Sequence, residues 1–252
     1  MKFKYNKFLY ESLNTFLDDV NGLSHFGAST GQEIPLYQHL GIEKLNLFEP
    51  QQKAYEILEK NCRENENINI YNFGLGAENF STTLNIADFK TGESSSILNP
   101  KLHLDYHPDV EFKTKEEIEI KRYDSLNLSD NFLVLDIQGY ELEALKGCQK
   151  KLNEIEFIFT EINYVEHYAE NPLTEDLDSY LKEFGFIRYR TNLDVWMMFG
   201  DAFYIKQEKL NRVEINLIKL KNKLLYRKFF IYFKRIFKFK DYKKIIKRYL
   251  KK

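Results

Sequence analysis

Short apolar runs alternate with amphipathic stretches through most of this 252-residue sequence. Between residues 20 and 205, runs such as KLNLFEP, NFLVLDIQG and EFIFTEIN are followed by segments with apolar residues at helical spacing. This alternation is typical of βαβ units, whose strands lie parallel in one sheet. Gly41 and Gly185 end helices, and Pro50 stands where a helix begins after a strand. The sequence therefore predicts an open α/β sheet that is mainly parallel.

Two stretches depart from this alternation. Residues 79–123 predict a hairpin around FSTTLNIADF, a Ser-rich turn and a charged strand, EEIEIKRYDSL. An insertion between the third and fourth core strands is expected to wall a substrate pocket. The closing stretch DVWMMFGDAFYIK predicts two antiparallel edge strands. We therefore divide the chain into an N-terminal helix (1–19), an α/β domain (20–205) and a basic helical tail (206–252).

Cysteine usage and the N-terminus indicate the compartment. Cys62 and Cys148 lie in helical segments, which favours neither a disulfide framework nor a Cys-rich zinc site. The first 19 residues mix charges into their apolar positions and contain no uninterrupted apolar core, unlike a signal peptide or a spanning helix. We therefore expect a cytoplasmic protein.

Charge is divided unevenly along the chain. Residues 206–252 contain 18 Lys and Arg against 3 Asp and Glu, whereas residues 1–205 contain 19 against 35. In the tail, Phe229, Phe233, Ile236 and Phe237 recur at helical spacing among the cations, which favours an amphipathic helix at the inner face of an anionic membrane. The tail could instead pack on the acidic body or a biosynthetic partner, or form a solvated helix. Nucleic acid is disfavoured because the acidic body would repel phosphate.

The first candidate site is the turn HFGASTGQE, in which a strand ends at Gly27 and a helix begins near Gly31. Glycine lets the backbone approach a ligand closely, although two glycines also occur in ordinary tight turns. The next strand ends in Glu49, about 20 residues later, where a carboxylate can bind both ribose hydroxyls of an adenosine-type ligand. The paired spacing favours a nucleoside site, and the lack of Lys-Ser/Thr after the glycines disfavours a triphosphate loop.

Two further strands end in acidic residues. The run NFLVLDIQG stops at Asp136, and EFIFTEIN ends near Glu161, with His167 six residues on. Ligands of open α/β sheets bind beyond the carboxyl ends of the strands, so we expect Asp136 and Glu49 to border one crevice. An ordinary surface strand end explains Glu161 equally well.

The segment HLDYHPD sets His103, Asp105, His107 and Asp109 at alternate positions, which would permit chelation from an extended strand. Pro108 and the polar surroundings favour a loop instead. The five histidines of the chain show no zinc pattern. The sequence therefore predicts a loop here.

The motifs together resemble the FkbM family of S-adenosylmethionine-dependent methyltransferases. They are, in order, HFGASTGQE, LYQHLGIEKLNLFEP, SSSIL, YDSL, LVLDIQGYELEALKG, EINYVEHY, GF and GDAFYIK, and they cover about residues 20–205. The most specific element is DIQGYELEALKG. The resemblance implies a class I methyltransferase fold, Rossmann-like, with S-adenosylmethionine at the first two strand ends. The tail lies outside the resemblance.

Carried over by position, the resemblance implies two overlapping sets of site residues. The cofactor-binding set is His25, Gly27, Ala28, Ser29, Gly31, Glu49, Asp136 and Gln138. The set at the methyl-transfer site is Asp136, Gln138, Gly139 and Glu141, with Glu161 as the fifth-strand acid. We place His167 beside Glu161 as a further catalytic candidate, which gives Asp136, Glu141, Glu161 and His167 as the predicted catalytic residues.

Methyl transfer from a sulfonium requires an acceptor held in line and relieved of its proton. We predict that Asp136 accepts this proton directly, or through Mg²⁺ or Mn²⁺ shared with Glu161, with His167 as the alternative acceptor. Carboxylates at such crevices also occur without a metal.

The resemblance implies O-methylation of a sugar hydroxyl in a surface glycan or its lipid-linked precursor, within polysaccharide biosynthesis. One alternative is an enzyme of the same fold that methylates a small metabolite or an amine. Another is a catalytically silent module that binds cofactor and anchors a biosynthetic complex through its tail. The presence of Gly27, Gly31, Glu49 and Asp136 argues against the silent module.

Overall fold

The computed structural model describes residues 6–89 and 91–236, which form two β-sheets and seven α-helices. The strands are β1 (Leu23–Phe26), β2 (Leu45–Phe48), β3 (Ile68–Tyr71), β4 (Gly74–Leu75), β5 (Phe80–Ile86), β6 (Thr114–Lys121), β7 (Phe132–Leu135), β8 (Phe157–Asn163), β9 (Phe186–Asp194) and β10 (Phe199–Lys206). The helices are α1 (Lys7–Thr15), α2 (Ile34–His39), α3 (Gln52–Cys62), α4 (His103–Tyr106), α5 (Glu141–Gly147), α6 (Thr174–Glu183) and α7 (Arg212–Ile236).

The main sheet has seven strands in the order β3-β2-β1-β7-β8-β10-β9. The first five are mutually parallel, and β10 pairs antiparallel with both β8 and β9. The predicted open, mainly parallel α/β sheet is therefore confirmed. The two closing strands, β9 and β10, form the predicted antiparallel hairpin at one edge of the sheet, with β9 outermost. In this arrangement β1 and β7, the first and fourth core strands, are neighbours at the centre of the sheet.

Apolar residues from the main sheet pack in two layers, one on each face. All four residues of each of the strands β1, β2 and β7 are buried, as expected for central strands covered on both faces. One layer joins the sheet to α5 and α6, and the other joins it to α1, α2, α3 and α7. The strand ends are thereby held as a rigid platform for the loops that follow them.

The insertion supplies β5 and β6 of a second sheet, in which β6 also pairs with β4 from the segment just before it, in the order β4-β6-β5. The predicted hairpin around FSTTLNIADF is wrong: this segment forms the single strand β5, which pairs antiparallel with β6. Register favours this pairing because Leu84, Ile118 and Ile120 can then form a small apolar cluster. The predicted loop at HLDYHPD is also wrong in part, since His103–Tyr106 form the short helix α4.

The first half of the basic tail packs on the body. Ile218 of α7 is buried against the core, and Asn222 donates a hydrogen bond to the carbonyl oxygen of Arg188 in β9. Tyr226 donates to Asp178 Oδ2 at 2.9 Å, and its ring lies 5.2 Å from the Arg188 guanidinium. No helix within the described ranges has the length and apolarity needed to cross a membrane. Of the predicted tail, residues 237–252, including Phe237, lie outside the described residues.

Candidate functional site

A cavity of about 440 Å³ opens at the carboxyl ends of β1, β2, β7 and β8. Parallel strands bring these ends to one edge of the sheet, because each strand returns through a helix on its face. The insertion contributes a wall with residues from β5, β6 and α4. Among the predicted residues, the cavity is lined by His25, Gly27, Ser29, Glu49, Asp136, Gln138, Glu161 and His167.

The turn after β1 approaches the turn after β7 very closely. Gly27 has φ +81°, and a Cβ added there would lie 2.0 Å from the carbonyl oxygen of Asp136. Ser29 lies in the left-handed region with φ +47°, a conformation that costs free energy for a residue with a side chain. The approach of the two turns therefore requires glycine at position 27, and both Gly27 and Ser29 line the cavity.

Two predicted residues of this turn do not line the cavity. The side chain of Ala28 is buried, and its N–H donates to the carbonyl oxygen of Phe48. Gly31 has φ +82°, and a Cβ there would meet Ile34 and Leu58, so this glycine faces the apolar core. Both residues shape the turn through backbone conformation and packing.

Glu49 at the end of β2 joins the first two strand ends. Its Oε2 accepts a hydrogen bond from the Ser29 N–H at 2.9 Å, and its Oε1 accepts one from the Gln51 N–H at 2.7 Å. Burial raises the pKa of Glu49 to about 7, and the two backbone hydrogen bonds oppose that effect. The carboxyl group therefore has a fixed orientation at the cavity wall, with further lone pairs available to a ligand.

His25 is a buried member of the β1 end. Its Nδ1 lies 3.1 Å from the Tyr37 hydroxyl, and burial lowers the pKa of the imidazole to about 3. The ring is therefore neutral near pH 7 and presents a polar edge to the cavity without adding a positive charge.

Gln138 links the two carboxylates predicted at the methyl-transfer site. Its Nε2 donates to Asp136 Oδ1 at 2.8 Å and lies 3.5 Å from Glu161 Oε2. Its Oε1 lies 3.0 Å from the Tyr168 hydroxyl, which fixes the orientation of the amide. Gln138 has φ +53°, so the backbone after β7 is strained to place this side chain.

Asp136 is surrounded by protein, yet its side chain is accessible from within the cavity. Burial raises the pKa of Asp136, and the hydrogen bond from Gln138 opposes this. Burial, together with repulsion by Glu141 and Asp136, raises the pKa of Glu161 well above its usual range. The cluster therefore contains carboxyl groups that hold protons more tightly than free ones.

Glu141 does not line the cavity but lies beneath the loop that follows β7. Its side chain is fully buried, and Oε1 accepts hydrogen bonds from the Gly139 N–H at 3.0 Å and the Ile137 N–H at 3.4 Å. Glu141 thus orients the loop that carries Gln138. Its placement makes it a positioning residue.

His167 lies on the far wall of the cavity, next to the ring of Phe199 at 5.4 Å. The side chain is buried, Nε2 has no hydrogen-bond partner, and the backbone of Met197 and Met198 holds the ring. Burial lowers the pKa of His167, so the imidazole is neutral near pH 7. His103 and His107 line the same region, and His103 Nδ1 is also buried without a partner.

The side chains do not support the predicted Mg²⁺ or Mn²⁺ site at Asp136 and Glu161. Within residues 6–89 and 91–236, no group of three or more His, Cys, Asp or Glu is arranged to hold a metal ion. The amide N–H groups of Gln138, which point toward both carboxylates, are donors and would repel a cation. Likewise, His103, Asp105, His107 and Asp109 of HLDYHPD, all within the described ranges, form no such metal-holding group.

Sequence comparison agrees with this geometry. A family model described as "Methyltransferase FkbM domain" matches residues 25–188, about two thirds of the chain. This chain belongs to the FkbM methyltransferase family. The predicted family is confirmed, and the protein is an S-adenosylmethionine-dependent methyltransferase with a class I fold. No curated protein sequence matches the chain significantly.

Solved structures with a similar fold include three methyltransferases. The magnesium protoporphyrin IX methyltransferase of Synechocystis with bound SAM is 11% identical with a TM-score of 0.47, covering 79% of this chain and 78% of that chain. The ribosomal protein L11 methylase of Lactobacillus delbrueckii is 9% identical with a TM-score of 0.46, covering 80% of each chain. An rRNA methylase of Streptococcus thermophilus is 12% identical with a TM-score of 0.43, covering 79% of this chain and 94% of that chain.

The cavity of this FkbM methyltransferase has a strongly acidic wall. Five carboxylates line it, namely Glu33, Glu49, Glu93, Asp136 and Glu161, and none of its described lining residues is Lys or Arg. Burial raises the pKa of Glu33 to about 7, so part of this wall is protonated near neutral pH. Because a bound cation favours the ionised carboxylates and no Lys or Arg among the described lining residues offsets them, the cavity favours cationic or neutral ligands over anionic ones.

Sequence reasoning missed Glu33, Glu93 and Tyr168. Glu33 lies directly before α2 in the glycine turn, and an acidic residue in a turn already predicted to bind the cofactor could have been added to the candidate site. Tyr168 follows His167 in the motif EINYVEHY, but its contacts with Gln138 and with the Ser94 carbonyl depend on chain segments 30 and 74 residues away. No local pattern reports such contacts.

Proposed function

We propose that this enzyme transfers a methyl group from S-adenosylmethionine to a hydroxyl of a sugar in a surface glycan or its lipid-linked precursor. The observation that carries the proposal is the acidic wall of a cavity at the strand ends of an FkbM methyltransferase, with no Lys or Arg among the lining residues that the structure describes. Such a wall suits a sulfonium cofactor and an uncharged polyol. Acceptors with phosphate or carboxylate groups next to the reacting hydroxyl are expected to be poor substrates.

The cofactor site is proposed along the first two strand ends. Glu49 supports the adenosine ribose through carboxylate lone pairs that its two backbone hydrogen bonds leave free. Gly27 and Ser29, which line the cavity after β1, are proposed to lie against the methionine part. The cofactor carries one more positive charge than its demethylated product, so the acidic wall favours binding of the cofactor and release of the product.

In the reaction, the acceptor oxygen attacks the methyl carbon, and the carbon–sulfur bond breaks with its electron pair remaining on sulfur. Asp136 is proposed to take the hydroxyl proton. Its raised pKa makes it a stronger base than a free aspartate, and Gln138 fixes its orientation. His167 is the alternative base, because its unpartnered Nε2 belongs to a neutral ring at the cavity wall.

Aromatic side chains support a sugar acceptor. Tyr168 and Phe199 line the cavity beside His167, and flat rings of this kind pack against the apolar faces of pyranose rings. His103 Nδ1 and His167 Nε2 are buried in this wall without a hydrogen-bond partner, and a small shift of either ring would bring its nitrogen to an acceptor hydroxyl. These groups come from α4 and from the loop after β8, away from the proposed cofactor site.

The cofactor half of the proposal is tested by calorimetric titration with S-adenosylhomocysteine. Glu49→Ala is expected to weaken binding at least about tenfold, since hydrogen bonds to a charged group contribute about 1.5–3 kcal/mol. The matched control is Glu116→Ala, which removes a carboxylate that accepts the Gln52 N–H outside the cavity. Equal affinities for wild type and Glu49→Ala would contradict the assignment.

The catalytic half is tested by single-turnover methylation of glycan acceptors. Asp136→Asn is expected to lower the rate by about 10²–10⁴-fold, the range for loss of general-base catalysis, with little change in S-adenosylhomocysteine affinity. Near-normal turnover of Asp136→Asn together with loss in His167→Asn would transfer the role of base to His167. Activity on amines or small metabolites but on no sugar would refute the proposed acceptor class.

A further inference from the structure

Helix α7 has two apolar faces, and only one of them is covered. The inner face consists of Ile215, Ile218, Asn222 and Tyr226, which lie three or four residues apart and contact the body. The outer face consists of Val213, Leu217, Leu220, Leu224 and Ile231, which are 67%, 52%, 55%, 46% and 56% exposed. A helix that merely covers a sheet edge needs one apolar stripe, so the outer face calls for a second partner.

Spacing makes the outer face a continuous stripe. Its members are separated by four, three, four and seven residues, which keeps them within a narrow sector of the helix. From Val213 to Ile231 the stripe is about 27 Å long at 1.5 Å per residue. The docking of the inner face on β9 fixes the outer face toward solvent.

The stripe is bordered by cations on both sides. At 100° per residue, Lys221 and Lys228 lie along one border, and Lys223 and Arg227 lie along the other. All four side chains are exposed. The only acidic residue among the described side chains of α7 is Glu214 in its first turn. The surface that covers this stripe must therefore be apolar at its centre and negatively charged around it.

We propose that the outer face of α7 docks on an anionic lipid bilayer, with the leucines in the acyl boundary and the flanking cations among the headgroups. A second copy of this chain fits less well, because pairing two outer faces would set like charges against each other along both borders. Nucleic acid would satisfy the cations but leave the leucines in water. The sequence continues for 16 residues past Ile236 with eight more Lys and Arg residues and one Asp, which extends the cationic character.

The direction of α7 relates the bilayer to the active site. Ile218 packs near the start of β9, whereas the ring of Tyr226 lies 5.8 Å from that of Tyr164, which follows the carboxyl end of β8. The helix therefore rises along the sheet edge toward the end where the cavity opens. Docking would bring the catalytic cavity near the membrane, which agrees with a lipid-linked acceptor but does not depend on it.

The test is flotation of the full-length protein with vesicles of neutral phosphatidylcholine or of phosphatidylcholine containing phosphatidylglycerol. Wild type is expected to float with the anionic vesicles and not with the neutral ones. Leu217→Glu with Leu220→Glu is expected to weaken binding at least about tenfold, since these side chains lose apolar contact and add negative charge. The matched control is Tyr10→Glu with Phe80→Glu, which adds the same charge at exposed apolar positions outside α7.

Binding of S-adenosylhomocysteine, measured on each variant, shows whether the body is folded and separates this proposal from the proposed reaction. Unchanged flotation of the Leu217→Glu and Leu220→Glu variant, or no binding of wild type to anionic vesicles, would overturn the proposal. A wild-type dimer that this double variant converts to a monomer would overturn it in favour of a second copy.

Discussion

Replacing Glu141 by Gln removes a buried charge while preserving the hydrogen bonds of the side chain. Oε1 accepts the N–H groups of Gly139 and Ile137, and the Gln oxygen can accept both. Oε2 is buried without a hydrogen-bond partner, so the Gln nitrogen replaces an atom that has no bond to lose. The substitution therefore isolates the effect of the charge more cleanly than at Glu49, where both oxygens accept backbone hydrogen bonds.

The magnitude follows from the pKa. Burial raises the pKa of Glu141 from 4.5 to about 7, which makes ionisation cost about 3 kcal/mol more in the folded than in the unfolded chain. Below pH 4.5 the carboxyl is protonated in both states and the charge has no effect. As the pH rises from 4.5 to 7, the unfolded chain releases its proton first, so the folded wild type loses stability. The gain from Glu141→Gln should therefore grow by about 3 kcal/mol across this range.

Thermal and urea unfolding of wild type and Glu141→Gln at pH 5 and pH 8.5 measure this difference. For a chain of this size, about 3 kcal/mol corresponds to about 6–12 °C in Tm at the higher pH. The polar NH₂ group of Gln adds an offset that is independent of pH, so the change with pH is the decisive quantity. A stability difference that stays constant between the two pH values would refute the inference of a buried, ionising Glu141.

Two substitutions test the backbone and the helix contacts. Gly27→Ala should destabilise the protein by more than about 2 kcal/mol in urea unfolding, because its Cβ would lie 2.0 Å from a backbone oxygen. The control Gly41→Ala, at φ +73° with nothing within 4 Å of the added Cβ, should cost only about 1 kcal/mol. Equal costs for the two substitutions would contradict the close approach at Gly27. Tyr226→Phe should cost about 1.5–3 kcal/mol in the same assay by removing its hydrogen bond to Asp178, and an unchanged unfolding midpoint would show that this contact does not hold α7.

The positions at which the parallel strands end explain much of the site. The apolar runs that end at Gly27, Glu49, Asp136 and Glu161 indicate strands, and parallel strands bring their carboxyl ends to one edge of a sheet. Local sequence therefore predicts which side chains meet, although Gly27 and Glu161 are 134 positions apart. The strained turn at Gln138 and the unpartnered nitrogen of His167 have no comparable local signal.

The sequence by itself determined the alternation of strands and helices in the main sheet, the acidic strand ends, the family and the basic tail. Periodicity and side-chain type encode these properties within a few residues of chain. The tertiary structure decided that Gly31 faces the core, that Glu141 supports a loop from below, and that the Gln138 amide donates a hydrogen bond to Asp136. It also decided which face of α7 is covered. These outcomes depend on which distant segment packs against each side chain, and burial and hydrogen bonding are settled only when that segment is in place.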